Sequence, residues 1–124
     1  MEYYVFFNCK VLGRGLIKDR YIAQCDELEC TLDIKINKDS IGKCIEMAIK
    51  SKDIEILSSK NFLKKENVII ATVEDIYELK GLFHIILNPV GASEFKIRIV
   101  KNSANMKLND EIRIHLDPEL MFEI

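Results

Sequence analysis

The chain has 124 residues, 48% apolar and 31% charged, with two prolines and five glycines. That is the length and composition of one globular domain, or of two very small ones sharing a core, and it excludes a multidomain machine, a disordered chain and a low-complexity fibre. Eighteen Lys and Arg against twenty Asp and Glu leave a net charge of −2, interspersed along the chain, without the basic stripe of an electrostatic nucleic-acid binder. No apolar run approaches the roughly 20 residues of a transmembrane helix. Met1-Glu2-Tyr3-Tyr4 lacks the positive start of a signal peptide, so a soluble, cytoplasmic chain without direct membrane insertion is expected.

Taken in chain order, the elements are almost all of period two. Residues 3–12 form the first long, bent strand, with Gly13 and Gly15 as a bend or bulge at its end. Leu28, Cys30, Leu32, Ile34 and Ile36 alternate with Glu29, Thr31, Asp33 and Lys35, which puts the first set on a buried sheet face and the second in water. Cys44-Ile45-Glu46-Met47-Ala48-Ile49 gives another strand, followed by a polar turn at Ser51-Lys52-Asp53 and a short strand at Ile54-Glu55-Ile56-Leu57. A second turn is expected at 61–65 and a second long strand at 67–79. Gly81-Leu82-Phe83-His84-Ile85-Ile86-Leu87 is the next strand, and Phe95, Ile97 and Ile99 alternate with Lys96 and Arg98. A single helical turn is expected at 103–107. Ile112, Ile114 and Leu116 then alternate with outward Arg113 and His115, and Leu120-Met121-Phe122 ends the series. Nine or ten strands without a helical stripe predict an all-β barrel or sandwich.

Cys9, Cys25, Cys30 and Cys44 lie in or beside apolar stretches, which predicts buried reduced thiols rather than a disulfide scaffold. Four residues separate Cys25 from Cys30, no second close pair follows, and His84 and His115 are distant, so no metal site is expected.

An internal repeat organises the chain. Ile41-Gly42-Lys43-Cys44 matches Leu108-Asn109-Asp110-Glu111: an apolar residue, a turn residue able to take positive φ, then two positions read as polar. The inward triplets Ile45, Met47, Ile49 and Ile112, Ile114, Leu116 follow, each running into a polar turn and a short apolar strand. Upstream stand Asn8 and Asn67, read as opening equivalent strands. The chain is therefore expected to be two β units, residues 1–59 and 60–124, that share a core, exchange strands or form one compact domain, since some sixty residues alone are marginal.

The stretch Asn67-Val68-Ile69-Ile70-Ala71-Thr72-Val73-Glu74-Asp75-Ile76-Tyr77, with Gly81, Leu108-Asn109-Asp110-Glu111-Ile112-Arg113-Ile114 and Asp117-Pro118-Glu119-Leu120-Met121-Phe122, resembles the TOBE domain. That β-barrel module trails the nucleotide-binding domain in many ABC importer ATPases, and the first half resembles the segment just upstream in those subunits. Asn109 stands for the usual turn Gly, and the family's Arg-Pro-Glu-Asp-Ile turn reads Lys50-Ser51-Lys52-Asp53-Ile54. The resemblance implies tandem OB-like units and a regulatory or dimerisation domain, held in a homodimer against ATPase and permease subunits. Localisation would then be cytoplasmic, at the membrane through the transporter complex. The related Mop-like molybdate-binding proteins carry a Ser-Ala-Arg-Asn start and an Ile-Thr-x-x-Ser segment. Here Glu66 stands where the family has Arg, and the second segment reads Ile99-Val100-Lys101-Asn102-Ser103. A carboxylate beside an oxyanion site opposes binding.

No chemistry-bearing constellation is visible. There is no Gly-x-x-x-x-Gly-Lys-Ser/Thr, and Gly13-Arg14-Gly15 is too short to cradle phosphates. His84 and His115 are isolated, and Asp110-Glu111 and Asp117 with Glu119 sit at turns, so neither an enzyme nor a cofactor is expected. If a small anion binds, Lys101, Asn102 and Ser103 offer backbone N–H groups, a hydroxyl and an ammonium, with Lys107 as a second cation. Three readings stay open: the importer-subunit domain, a stand-alone oxyanion-binding protein, and an OB-type nucleic-acid binder. The last needs exposed aromatics interleaved with basic residues, whereas Phe6, Phe7, Phe83, Phe95 and Phe122 are read as core.

Overall fold

The computed structural model describes residues 2–58, 66–92 and 94–124. In order these form β1 (Tyr4–Arg14), β2 (Arg20–Cys25), β3 (Cys30–Lys35), β4 (Cys44–Lys50), a 3-10 turn at Ser51–Asp53, β5 (Glu55–Leu57), β6 (Val68–Leu79), β7 (Leu82–Pro89), β8 (Ile97–Lys101), β9 (Glu111–His115) and β10 (Phe122–Glu123). No α-helix occurs among the described residues, and the all-β expectation holds. β2 is the strand that the periodicity analysis missed. Its inward residues are Tyr21, Ala23 and Cys25, and an Ala and a Cys give little apolar contrast against Gln24. The turn expected at 61–65 and the unit boundary at 59/60 lie outside the described residues.

The strands form two antiparallel five-stranded sheets, β10-β4-β1-β2-β3 and β5-β9-β6-β7-β8. Position by position the second order repeats the first. β1 is bulged between Val11 and Gly13 and β6 between Val73 and Asp75, which bends each long strand. At the bulges, Val11 and Val73 play the same part. The Val11 N–H donates to Lys43 O at 2.9 Å and Gly42 N–H to Val11 O at 2.8 Å; Val73 N–H donates to Asp110 O at 2.9 Å and Asn109 N–H to Val73 O at 2.8 Å. Gly42 and Asn109 take φ +85° and +72°, the left-handed turn that the repeat predicts, with Asn tolerating what Gly does freely. This register corrects one expectation. Asn8 lies inside β1 rather than opening a strand: with Val11 aligned on Val73 at the bulges, Asn67 matches Val5 and not Asn8, and only Asn67 precedes its strand.

The repeat extends into an exchange of strands. β5 leaves the first half and pairs with β9, placing Glu55 opposite His115 and Ile56 opposite Ile114. β10 leaves the second half and pairs with β4, placing Phe122 opposite Ala48 and Glu123 opposite Met47. These are the same pairings under the alignment that sets Gly42 on Asn109. Ile54 and Met121, just before each exchanged strand, are buried, so each arm is anchored by an apolar plug worth roughly 1.5–3 kcal/mol. The inward triplets Met47, Ile49, Ile114 and Leu116 join Phe7, Leu32, Ile85, Leu87, Ile97 and Ile99 in one continuous core drawn from both halves.

β3 is the outer strand of its sheet, and such an edge leaves backbone groups unpaired. Asn67 covers it. Its Oδ1 accepts the Asp33 N–H at 2.7 Å, and its Nδ2 donates to Asp33 O at 2.7 Å and to Leu116 O at 2.9 Å. One side-chain amide thus ties the edge of one sheet to the end of β9 in the other. Its backbone takes φ +55°, which Asn accepts more readily than most residues. Asn67→Ala is expected to cost about 2–4 kcal/mol in chemical denaturation, through the unpaired groups and the backbone strain together. Asn67→Gly, which relieves only the strain, should recover about 1 kcal/mol of that loss; equal midpoints for wild type and Asn67→Ala would show that the latch contributes nothing.

Candidate functional site

The opposite junction of the sheets is built differently. The ladder of β1 and β4 runs on through the Ser51 N–H, which donates to Tyr3 O at 2.8 Å, and the 3-10 turn then faces β8. Between them lies a cleft of about 510 Å³ lined by Glu2, Tyr3, Ser51, Lys52, Leu82, Val100, Lys101 and Asn102. Tyr3 is fixed there by the Arg98 guanidinium 4.5 Å above its ring and by the His84 ring at 5.1 Å. Lys101 Nζ donates to Lys52 O at 3.3 Å, and Lys52 Nζ sits 3.3 Å from the Glu2 carboxylate. Burial pushes the Lys101 ammonium below the ordinary lysine range, with Asp53 and Glu55 acting against that. Ser51 is wholly buried, and its hydroxyl has no hydrogen-bond partner among the described residues.

Of the residues expected to bind an anion, Lys101 and Asn102 line this cleft. Together with Ser103 they also line a neighbouring cleft of about 600 Å³, which includes the carboxylates Asp53 and Glu55. Lys107 lines neither. Its N–H donates to Asp110 Oδ2 at 2.8 Å and its carbonyl accepts the Asp110 N–H at 3.1 Å, within the turn beside the β6 bulge. The helical turn expected at 103–107 does not form. Ala104 and Met106 both pack on the core while Ser103 and Asn105 face solvent, and anchors two residues apart hold the chain extended. Lys52 takes the place that Lys107 was expected to fill.

Glu66 lies at the latched junction, not in the cleft. Arg20, its side chain only 10% exposed, reaches Glu66 at 3.4 Å and Glu119 at 3.1 Å, and Lys35 reaches Glu119 at 2.7 Å. Glu66 is held below the ordinary glutamate range by its own backbone N–H and by Arg20, and Glu119 by Lys35 and Arg20.

Two further expectations are corrected. His115 was expected to point into water, but β9 is flanked by β5 and β6, and His115 is buried with Nδ1 3.3 Å from the Glu55 carboxylate. Phe6 and Phe122 are exposed rather than core, and Tyr21 is buried; Tyr4 packs against both of these phenylalanines on the outer sheet surface. Cys9 and Cys25 are buried and Cys30 half-buried, whereas Cys44, first residue of β4, is exposed. Among the described residues no group of three or more His, Cys, Asp or Glu is arranged to hold a metal ion, and no helix is long and apolar enough to cross a membrane.

The two interlocked sheets are tandem OB-like barrel units that share strands. No family model matches the sequence, and no curated protein matches it. Among solved structures the chain is similar to the cytoplasmic molybdate-binding protein ModG, in a form with molybdate bound. The TM-score is 0.74 at 14% identity, over 96% of this chain and 94% of that one.

The ion cluster of the latched junction makes an acid-stability prediction. Both carboxylates have folded pKa values below the ordinary value of 4.5, so their contribution is complete above that pH and is lost as the pH falls through the folded values. The wild-type Tm should therefore drop by a few degrees more than that of a Glu66→Gln, Glu119→Gln variant on going from about pH 6 to about pH 3. Parallel Tm curves would show that the cluster adds no stability.

Proposed function

We propose that this chain is a cytoplasmic, non-catalytic protein that binds a small tetrahedral oxyanion in the cleft of Tyr3, Ser51, Lys52, Lys101 and Asn102. The observation that carries the reading is a difference between the two junctions. Glu119 occupies in the second repeat the position that Lys52 holds in the first, and it meets Lys35 at 2.7 Å. At that junction the cation is neutralised by a carboxylate. In the cleft, Lys52 meets Glu2 at 3.3 Å, and the Lys101 ammonium donates to the Lys52 carbonyl, with Asp53 and Glu55 acting on it from the neighbouring cleft. A dianion entering there gains two charge-assisted contacts. It also supplies an acceptor for the buried Ser51 hydroxyl, a group that is costly to leave unpaired. Asn102 adds an amide donor at the rim. Binding would favour the charged form of Lys101 and so reverse the effect of its burial.

The likeness of fold to a molybdate-binding protein along nearly the whole of both chains supports the same reading. The importer-subunit reading, with its homodimer, ATPase and permease partners, is left with the TOBE-like motifs as its support. For nucleic acid, the exposed aromatics Tyr4, Phe6 and Phe122 share their sheet face with Glu46 as well as with Lys50 and Lys10, so the patch lacks the consistently basic surround that a phosphate backbone needs.

Calorimetric titration with molybdate, tungstate and sulfate tests the proposal. A Kd of roughly micromolar order is expected for at least one of them, weakened about tenfold or more by Lys101→Ala, Lys52→Ala or Ser51→Ala, each of which removes a contact worth about 1–2 kcal/mol. Lys107→Ala should leave affinity unchanged. Absence of saturable binding, or binding indifferent to the three cleft substitutions, would contradict it.

A further inference from the structure

Three thiols stand in a row across the first sheet, none of them lining the cleft. Cys9 of β1 is directly opposite Cys25 of β2, and Cys25 is directly opposite Cys30 of β3. Directly opposed residues of antiparallel strands project to the same face, and here that face is the core: Cys9 and Cys25 are buried and Cys30 is half-buried.

The hydrogen bonding of β1 sets the geometry of the first pair. Val11 spends its N–H and carbonyl on Lys43 and Gly42, toward β4, so Cys9, two residues earlier, directs its polar groups the same way. Cys9 and Cys25 are therefore a non-hydrogen-bonded pair, the closer kind, with Cα atoms about 4.5 Å apart, inside the span of about 4.4–6.8 Å that a disulfide bridges. Asn8 agrees with this phase, since its N–H, which faces β2, is taken by the Glu27 carboxylate at 2.7 Å.

We infer that Cys9 and Cys25 form a reversible cross-strand disulfide, reached by a low-molecular-weight disulfide oxidant through Cys30, the half-buried and most accessible thiol of the three, as the entry thiol. The Cys30 thiolate attacks a sulfur of the oxidant R–S–S–R, forming Cys30–S–S–R and expelling one R–S⁻. Cys25 attacks the Cys30 sulfur, forms Cys25–Cys30 and expels the second R–S⁻. Cys9 then attacks Cys25, forming Cys9–Cys25 and returning Cys30 as a thiol. The oxidant gains two electrons, and the protons lost by Cys9 and Cys25 leave on two R–SH.

The local chemistry favours Cys25 as the central nucleophile. The Cys9 thiol donates to its sulfur, and the Leu28 and Glu27 N–H groups of the β2–β3 turn do so too, holding the Cys25 thiol below its ordinary value against burial. The same contact with Cys25, with burial, pushes Cys9 up, and burial pushes Cys30 up as well, so the attacks by both of these thiols are slowed.

The test incubates the full chain, folded, with oxidised glutathione, followed by acid quenching, alkylation of free thiols, non-reducing digestion and mass spectrometry. A glutathione adduct on Cys30 should appear first, then peptides joining Cys9 to Cys25, with Cys30 alkylatable again. Cys30→Ser should slow the Cys9–Cys25 link about tenfold or more, because buried thiols are otherwise inert, and Cys44→Ser should leave its rate unchanged. Should Cys30→Ser not fold, the order of products in the wild type decides alone. A link that forms at an unchanged rate without Cys30, a terminal Cys25–Cys30 bond, or adducts on Cys44 alone would each overturn the inference.

Discussion

The pairing of β5 with β9 and of β10 with β4 is the constraint on which the rest of the structure depends. Each half lends the other its last strand, in the same register, so neither sheet reaches five strands without residues from both halves. A half of about sixty residues buries too little surface to be stable alone. The exchange removes that difficulty by placing Ile54 and Met121 into a core that already contains residues of both halves. It also explains why His115 is buried. In the alignment His115 matches Ala48, and each lies on a strand covered on its outer side by the arm that arrives from the other half.

Exchange between two copies of a unit creates two equivalent junctions, and in this chain the two have diverged. One is closed by Asn67, which saturates the Asp33 edge, and by Arg20 held between Glu66 and Glu119. The other carries Tyr3 and Ser51, and opens as a cleft where Lys52 meets Glu2 and the Lys101 ammonium donates to Lys52 O. The cleft's walls are the 3-10 turn Ser51–Asp53 and the end of β8. Ion pairs satisfied within the protein thus fasten one junction, while its counterpart opens as a cleft.

Most of the fold could be read in the sequence because inward alternation is strict wherever a strand has one wet face. Met47 and Ile49 against Ile114 and Leu116, with Gly42 against Asn109, set the repeat directly. The exchange of strands was legible only as an allowance, since Glu55-Ile56-Leu57 and Phe122-Glu123 are too short to announce their partners. β2 escaped because Ala23 and Cys25 are weak apolar markers. Of the cleft, Lys101 and Asn102 were found through their place at a strand end, but Lys52 and Ser51 were seen only as a turn. Spacing along the chain could not reveal that the turn is brought to β8 by a ladder running from Tyr3. Lys107 was misplaced for the converse reason: proximity in sequence to Ser103 is undone by an extended segment pinned at Ala104 and Met106.

The central claim, that reciprocal strand exchange welds both halves into one cooperative unit, is tested most directly by residue-resolved amide NMR through a denaturant titration. Amides of the first sheet, such as Ile34 and Met47, and of the second, such as Ile85 and Ile114, should lose native intensity at one shared midpoint with one slope, as a two-state unit does. Separate midpoints for the two sheets, with native signals of one persisting after the other has unfolded, would contradict it.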